Sequence, residues 1–175
     1  FDGEPVTNNA PLRSGKGSLY EGGVRVPMIF SGAGVGRQGA VEPTQVMSTD
    51  IYRTILDAAG LGGSDGYLAA ADSVSLAPLI GGQTRTLGRS QLCFHYPHYY
   101  ATTTPASAIR VGGWKLIEYF EGPKLELYDL ASDPSESRDL ASVRPDIARD
   151  LAARLKAWRE EVGARLPVKN PDYRA

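Results

Sequence analysis

Pro11-Leu-Arg-Ser-Gly-Lys-Gly-Ser-Leu-Tyr-Glu-Gly-Gly-Val-Arg-Val-Pro27 is the stretch from which the rest of the chain is read. Lys16 stands between Gly15 and Gly17, and glycine neighbours let a ligand come close to the backbone. An ammonium held in such a loop suits a compact oxyanion such as sulfate or phosphate. Arg13, Lys16 and Arg25 are set against one acid, Glu21, so the segment is locally basic. A Walker A loop is excluded. That motif is Gly, four residues, then Gly-Lys-Ser/Thr, whereas Ala10 holds the first glycine position here and Gly17 follows the lysine. By composition alone the segment is a glycine-rich surface turn with a solvated lysine.

On the N-terminal side, residues 1–10 are polar and turn-rich. On the C-terminal side, Val24 to Ser31 ends in an uninterrupted apolar run and is expected to be a strand covered on both faces, with Pro27 at its start or on an edge. Ser48-Thr49-Asp50 is a helix start. Ile51, Tyr52, Ile55, Leu56 and Ala59 share one face, and Gly60 is a stop. Asp50 is expected to cap rather than catalyse. Strand, loop and helix in this order imply an α/β layer. Beyond residue 84 the pattern changes to short strands over Ser90–Tyr96, Ala108–Val111, Trp114–Phe120 and Leu125–Leu130. Gly112-Gly113 marks a hairpin. Pro145 to Val162 reads as a helix with a stripe of Ile147, Leu151, Leu155, Trp158 and Val162.

The 175 residues are 42% hydrophobic and 22% charged, an ordinary globular composition. A net charge of -1 gives no reason to expect nucleic acid or an acidic lipid surface as partner. Cys93 is the single cysteine, which rules out an internal disulfide and a cysteine-based zinc site. No apolar run is long enough to span a membrane, and the first residues do not read as a signal peptide. A chain starting at Phe1 is expected to be processed or cut from something longer.

The order of residues from Pro11 to Pro27 resembles the signature of the type I sulfatases of the alkaline phosphatase superfamily. The likeness continues through Thr49-Asp-Ile-Tyr-x-Thr-Ile-Leu56, Asp72–Ile80, Ile109-Arg-x-Gly-x-Trp-Lys-Leu-Ile117, Glu126-Leu-Tyr-Asp-Leu-x-x-Asp-Pro-x-Glu136 and Asn170-Pro-Asp-Tyr173. Asp139 stands where the family usually has Asn. The resemblance implies that Lys16 reaches the sulfate group, where a fixed cation stabilises negative charge developing on the sulfuryl oxygens. It also implies that His95 and His98, in Cys93-Phe-His-Tyr-Pro-His98, stand at the rim of the substrate pocket. On an alternating strand His95 shares a face with Cys93, and Pro97 puts His98 in the following loop. The two have no third ligand nearby, so a metal role is not expected of them. Arg13 is a candidate for the pocket wall. Tyr20, Glu21 and Arg25 are expected to shape the loop through hydrogen bonds and ion pairs. Asp129, Asp133 and Glu136 are expected to be turn and cap residues.

The formylglycine nucleophile of these enzymes arises in Cys/Ser-x-Pro-x-Arg, which this chain lacks, and the aspartate-rich calcium segments are missing too. The chain is therefore expected to hold no cofactor of its own, with calcium and formylglycine in a preceding N-terminal part. The expected fold is α/β with α+β: the end of an alkaline phosphatase-like domain over residues 1–84, then a small antiparallel sheet with a C-terminal helix over 85–175. The implied function is hydrolysis of sulfate esters in an intact parent, on a sulfated small molecule or sulfated glycan, with this chain inactive alone. A phosphatase or phosphodiesterase of the same superfamily, and a non-catalytic binder of anions or sulfated glycans, are the alternatives. Export is suspected from the resemblance. A strand built to be covered on both sides, with few partners, implies that the isolated chain self-associates.

Overall fold

In the computed structural model, which describes residues 8–62, 72–122, 124–168 and 170–172, apolar alternation in the second half of the chain builds one sheet. The described elements follow in chain order: α1 (Glu21–Val24), α2 (Asp50–Ala58), α3 (Ala77–Ile80), β1 (Leu92–Tyr96), β2 (Ala106–Val111), β3 (Trp114–Tyr119), β4 (Lys124–Asp129) and α4 (Pro145–Glu161). The four strands form an antiparallel meander in the order β1-β2-β3-β4, as the alternation implies. Gly112 and Gly113 turn β2 into β3 where the hairpin signal lies. The register sets Ile109 opposite Leu116, and Leu116 opposite Leu127. One residue along, Ala108 faces Ile117, and Ile117 faces Glu126. With a side-chain period of two, these rows point to opposite faces of the sheet.

The first row is covered by α4. Ala148, Leu151 and Leu155 are buried against Ile109, Leu116 and Leu127, with Ile147 and Trp158 at the margin. Burying a leucine as fully as Leu155 stabilises by about 1.5–3 kcal/mol. Val162 falls beyond the end of α4 and is exposed. The last buried place on the helix goes instead to Arg159, paired with Glu118 at 2.7 Å. The second row is covered by the signature segment: Leu19 and Tyr20 pack on Ala106, Ala108, Ile117, Tyr128 and Leu130.

Backbone proximity divides the chain into two compact units: Phe1–Val26 with Gln91–Ala175, and Pro27–Ser90. In the second unit, α2 starts at Asp50 as expected, and Gly60 follows it at φ +73. Its expected apolar face lies open, with Ile51, Tyr52 and Ile55 exposed, while Asp50 and Thr54 are buried. The anchor is ionic. Arg89 donates to both oxygens of Asp50 at 2.8 and 2.7 Å, and the amides of Met47 and Val74 donate to the same carboxylate. Burial alone would push this carboxyl up, but those four donors outweigh it and hold it below the usual carboxylate range.

The strand expected over Val24–Ser31 does not form. α1 takes Val24, and the following residues are irregular, with Val26 70% and Ile29 89% exposed. An extended apolar segment becomes a strand only when neighbours take its N–H and C=O groups, and Pro27 has no N–H to offer. No described strand of the chain pairs with it.

Candidate functional site

Lys16 lies at the tip of a loop that closes on itself. The Gly22 amide donates to the Arg13 carbonyl at 3.0 Å, and the Ser18 amide and hydroxyl donate to the Gly15 carbonyl at 3.2 and 3.0 Å. Gly22 is needed for this closure, because a Cβ there would sit 2.4 Å from the carbonyl oxygens of Arg13 and Ser14. The loop after β1 rests on the tip. Thr102 Oγ1 donates to the Lys16 carbonyl at 2.9 Å, and the Tyr100 ring occupies the place of a side chain on Gly17. A Cβ on Gly17 would lie 2.1 Å from the ring, and the residue sits at φ +88, so only glycine fits. The Lys16 side chain is exposed, and no ion pair to it occurs among the described residues.

The two stems of the loop are bonded to the sheet. On the incoming side the Arg13 guanidinium stacks on the Tyr20 ring, 4.0 Å from its centroid. It also donates to Tyr128 Oη at 2.8 Å and to the Glu136 carbonyl at 2.9 Å. On the outgoing side Tyr20 donates to Glu126 Oε2 at 2.6 Å, joined there by Tyr128, while Lys124 holds Oε1 at 2.5 Å. Burial pushes Glu126 up, but these three donors prevail and leave it lowered; burial and the bond to Glu126 raise the Tyr20 phenol. Glu21, 1% exposed, pairs with Lys115 at 3.0 Å and Arg110 at 3.2 Å. Lys115 reaches Glu136 on its other side at 2.9 Å. Burial raises Glu136 against the pull of Lys115 and the Glu21 amide, which donates to Oε2 at 2.6 Å.

The structure thus brings together Lys16, the His98–Thr103 loop and Arg13, each in a different way. Lys16 and His98 are exposed; the His98 ring stands edge-on to Tyr96 at 5.4 Å. Arg13 turns its guanidinium onto the sheet. His95 shares the face of Cys93, as alternation requires. Its two ring nitrogens are bonded, Nδ1 with Ser107 Oγ at 2.7 Å and Nε2 with the Arg165 carbonyl at 2.8 Å. Asp129 and Asp133 are turn residues, Asp133 accepting from the Ser137 and Arg138 amides. Glu136 is not simply one: it is fully buried and ionically engaged. Lys115, Glu126 and Glu136 escaped sequence reasoning because polar residues alternating along a strand, or following Asp-Pro, read as solvent-facing. The signal that could have found them is the place of all three inside the motifs quoted above.

Calcium and formylglycine find no fit in the described residues. No three His, Cys, Asp or Glu side chains gather there as a metal would require. Burial pushes the Cys93 thiol up to about 11, against the weaker pull of Arg154 and Arg159, and its sequence context is not that of a formylglycine precursor. What the Lys16 loop can do is present one cation, on a backbone held in place, beside aromatic and hydroxyl side chains, to an anion. No described helix is long and apolar enough to cross a membrane.

Residues 15–161 match the N-sulphoglucosamine sulphohydrolase C-terminal family. A sulfatase of Formosa agariphila is 33% identical over 165 residues, covering 87% of this chain and 30% of its own length. The crystal structure of Ps i-CgsB in complex with k-i-k-neocarrahexaose superposes with a TM-score of 0.69 at 25% identity, over 86% of this chain and 32% of that one. BT4656, solved with its substrate D-glucosamine-2-N,6-O-disulfate, gives a TM-score of 0.53 at 25% identity, over 65% of this chain and 24% of that one. The chain spans less than a third of the length of each.

Proposed function

The chain belongs to the sulfatase family, as a C-terminal portion, and from that premise we propose that it serves the hydrolysis of sulfate esters by presenting Lys16 to the sulfate group. The observation that carries this reading is the Lys16 side chain, exposed at the tip of a loop whose two stems are bonded to the sheet. A loop whose backbone is held beforehand lessens the reorganisation needed to bring its cation to negative charge developing on a sulfuryl oxygen. His98, exposed in the loop that rests on the Lys16 turn, is the second substrate-facing group of this reading. Arg13 and His95, whose polar atoms are bonded within the unit, support the pocket from behind.

A sulfated sugar is the substrate class of the proposal, supported by the disulfated glucosamine that BT4656 takes. Calcium and formylglycine belong to the same reading, on residues other than those described here. So does the division at residue 84 between the end of a catalytic domain and a smaller subdomain. The test is a titration of the 175-residue chain with inorganic sulfate, followed through the Lys16 and Gly17 amides by NMR. Saturable shifts in wild type, lost in Lys16→Ala, are expected; equal binding by the two proteins would remove Lys16 from the reading. Exposed Val26, Ile29, Ile55 and Val41 also support self-association of the isolated chain. Sedimentation should show oligomers that Ile29→Asp reduces, and a strict monomer at high concentration would count against it.

A further inference from the structure

We propose that Lys115 and Glu136 are positioning residues: the buried Glu21–Lys115–Glu136 bridge clamps both stems of the Lys16 loop to the sheet and so fixes where the ammonium meets its anion. The inference rests on the reading of Lys16 as an anion ligand.

Glu136 makes contact with each stem. Its carbonyl accepts from Arg13, three residues before Lys16, and its Oε2 accepts from the amide of Glu21, five residues after. Its Oε1 pairs with Lys115 at 2.9 Å, and Lys115 pairs in turn with Glu21 at 3.0 Å. All three side chains are almost wholly buried, at 0–2% exposure. Glu136 is also held at φ +51, a left-handed conformation that a non-glycine residue keeps only when its surroundings impose it. Stability does not call for this arrangement. Exchanging a buried ion cluster for apolar residues of similar volume is often neutral or stabilising, and Ile117, Ala108 and Leu130 already line this side of the sheet. What an apolar patch cannot supply is register. A lysine held between two carboxylates, one of which also takes a specific amide, admits one seating of the loop.

Removing Lys115 leaves Glu21, still paired with Arg110 at 3.2 Å, beside Glu136 in a buried site, where the two carboxylates repel. Glu21 is the movable partner, because it ends the loop. Lys115→Met is therefore expected to loosen residues 15–18, and to weaken inorganic sulfate binding about tenfold, the low end for groups that orient a ligating residue. Glu136→Gln, which keeps the shape and the Lys115–Glu21 pair, should weaken it less than Lys115→Met does. The control is Leu155→Ala, on the opposite face of the sheet, compared at a temperature where all variants are folded. The readouts are sulfate affinity and backbone 15N order at Gly15–Ser18 of the 175-residue chain. Lys115→Met/Glu136→Gln, which removes the repulsion, should recover part of the order and the affinity. If Lys115→Met fails to fold, Glu136→Gln decides alone. Loop order and affinity no lower in these variants than in Leu155→Ala would overturn the positioning role. Sulfate binding indifferent to Lys16→Ala, with the loop nevertheless loosened by Lys115→Met, would instead overturn the reading of Lys16 and leave the clamp standing.

Discussion

The two faces of the β1–β4 sheet both carry an apolar cluster but differ in how much buried charge they add to it. Under α4 lie Ile109, Leu116 and Leu127 against Leu151 and Leu155, side chains with no polar atom to satisfy. Under the Lys16 loop, beside the apolar Ala106, Ala108, Ile117 and Leu130, lie Lys115, Glu126 and Tyr128 from the same strands, with Arg110 at the margin and Glu21, Glu136 and Tyr20 closing over them. The helix face gains its energy from area and tolerates exchange between hydrophobes of similar volume. The loop face gains little net energy from its ions, since desolvation offsets most of their attraction, but each bond has one partner and one geometry. The helix face relies chiefly on apolar area, the loop face adds ion pairs of fixed geometry to its own apolar cluster, and in the reading proposed above the group these pairs position is Lys16.

Leu155→Ala should break the helix face most severely. The residue is 0% exposed, and truncating a leucine in such a place costs about 2–5 kcal/mol. Denaturant unfolding should show that loss, while the amides of Ser18 and Gly22 keep their protection relative to the sheet. A local release of the Lys16 loop in this variant would show that the two faces are not separate.

The elements on the helix face were legible in the sequence, because area burial leaves a periodic record. Alternation gave β1 to β4, Gly112-Gly113 the turn, and the stripe of Ile147, Leu151 and Leu155 the helix that covers them. The loop face left no such record. Lys115 reads as the outward residue of an alternating strand, and only the loop folded over it turns that position inward. Lys16 was singled out by residue order, not by physics: a Gly-Lys-Gly turn has many uses. Val24–Ser31 was misread because an apolar run states that a segment will be covered, without stating by what. Ile51, Tyr52 and Ile55 of α2 present the same difficulty, since within its unit α2 is held by the Asp50–Arg89 pair and not by the apolar stripe.

Changes of pH should act on the loop face with opposite signs through two of its three buried glutamates, Glu126 and Glu136. Glu126 has a lowered pKa in the fold: burial raises it, but Lys124, Tyr20 and Tyr128 outweigh that effect. Its contribution is complete above the ordinary carboxylate pKa and is lost as pH falls through the folded value. Glu136 is raised, burial exceeding the help of Lys115 and the Glu21 amide. The folded chain therefore holds this proton more tightly than the unfolded chain does, and stability declines as pH climbs from the ordinary carboxylate value through the raised one. Glu126→Gln should flatten the acid limb of a stability–pH curve, and Glu136→Gln the decline above it. Lys124 is exposed, so salt should shrink the first effect more than the second. Loss of the same limb in both variants would mean that the two carboxylates act as one coupled group.

Lys16→Ala should have the smallest effect on stability of all. The tip of the loop is held through the Lys16 carbonyl, which accepts from Thr102, and through Gly17 under the Tyr100 ring. An alanine keeps that carbonyl, and the exposed side chain it removes pairs with no described acid, so the change should lie within about 0.5 kcal/mol. Sulfate binding lost with the melting curve unmoved would separate what the loop face holds from what holds it. A large destabilisation would mean instead that the ammonium is part of the clamp, and that the position of the loop depends on the residue it is built to present.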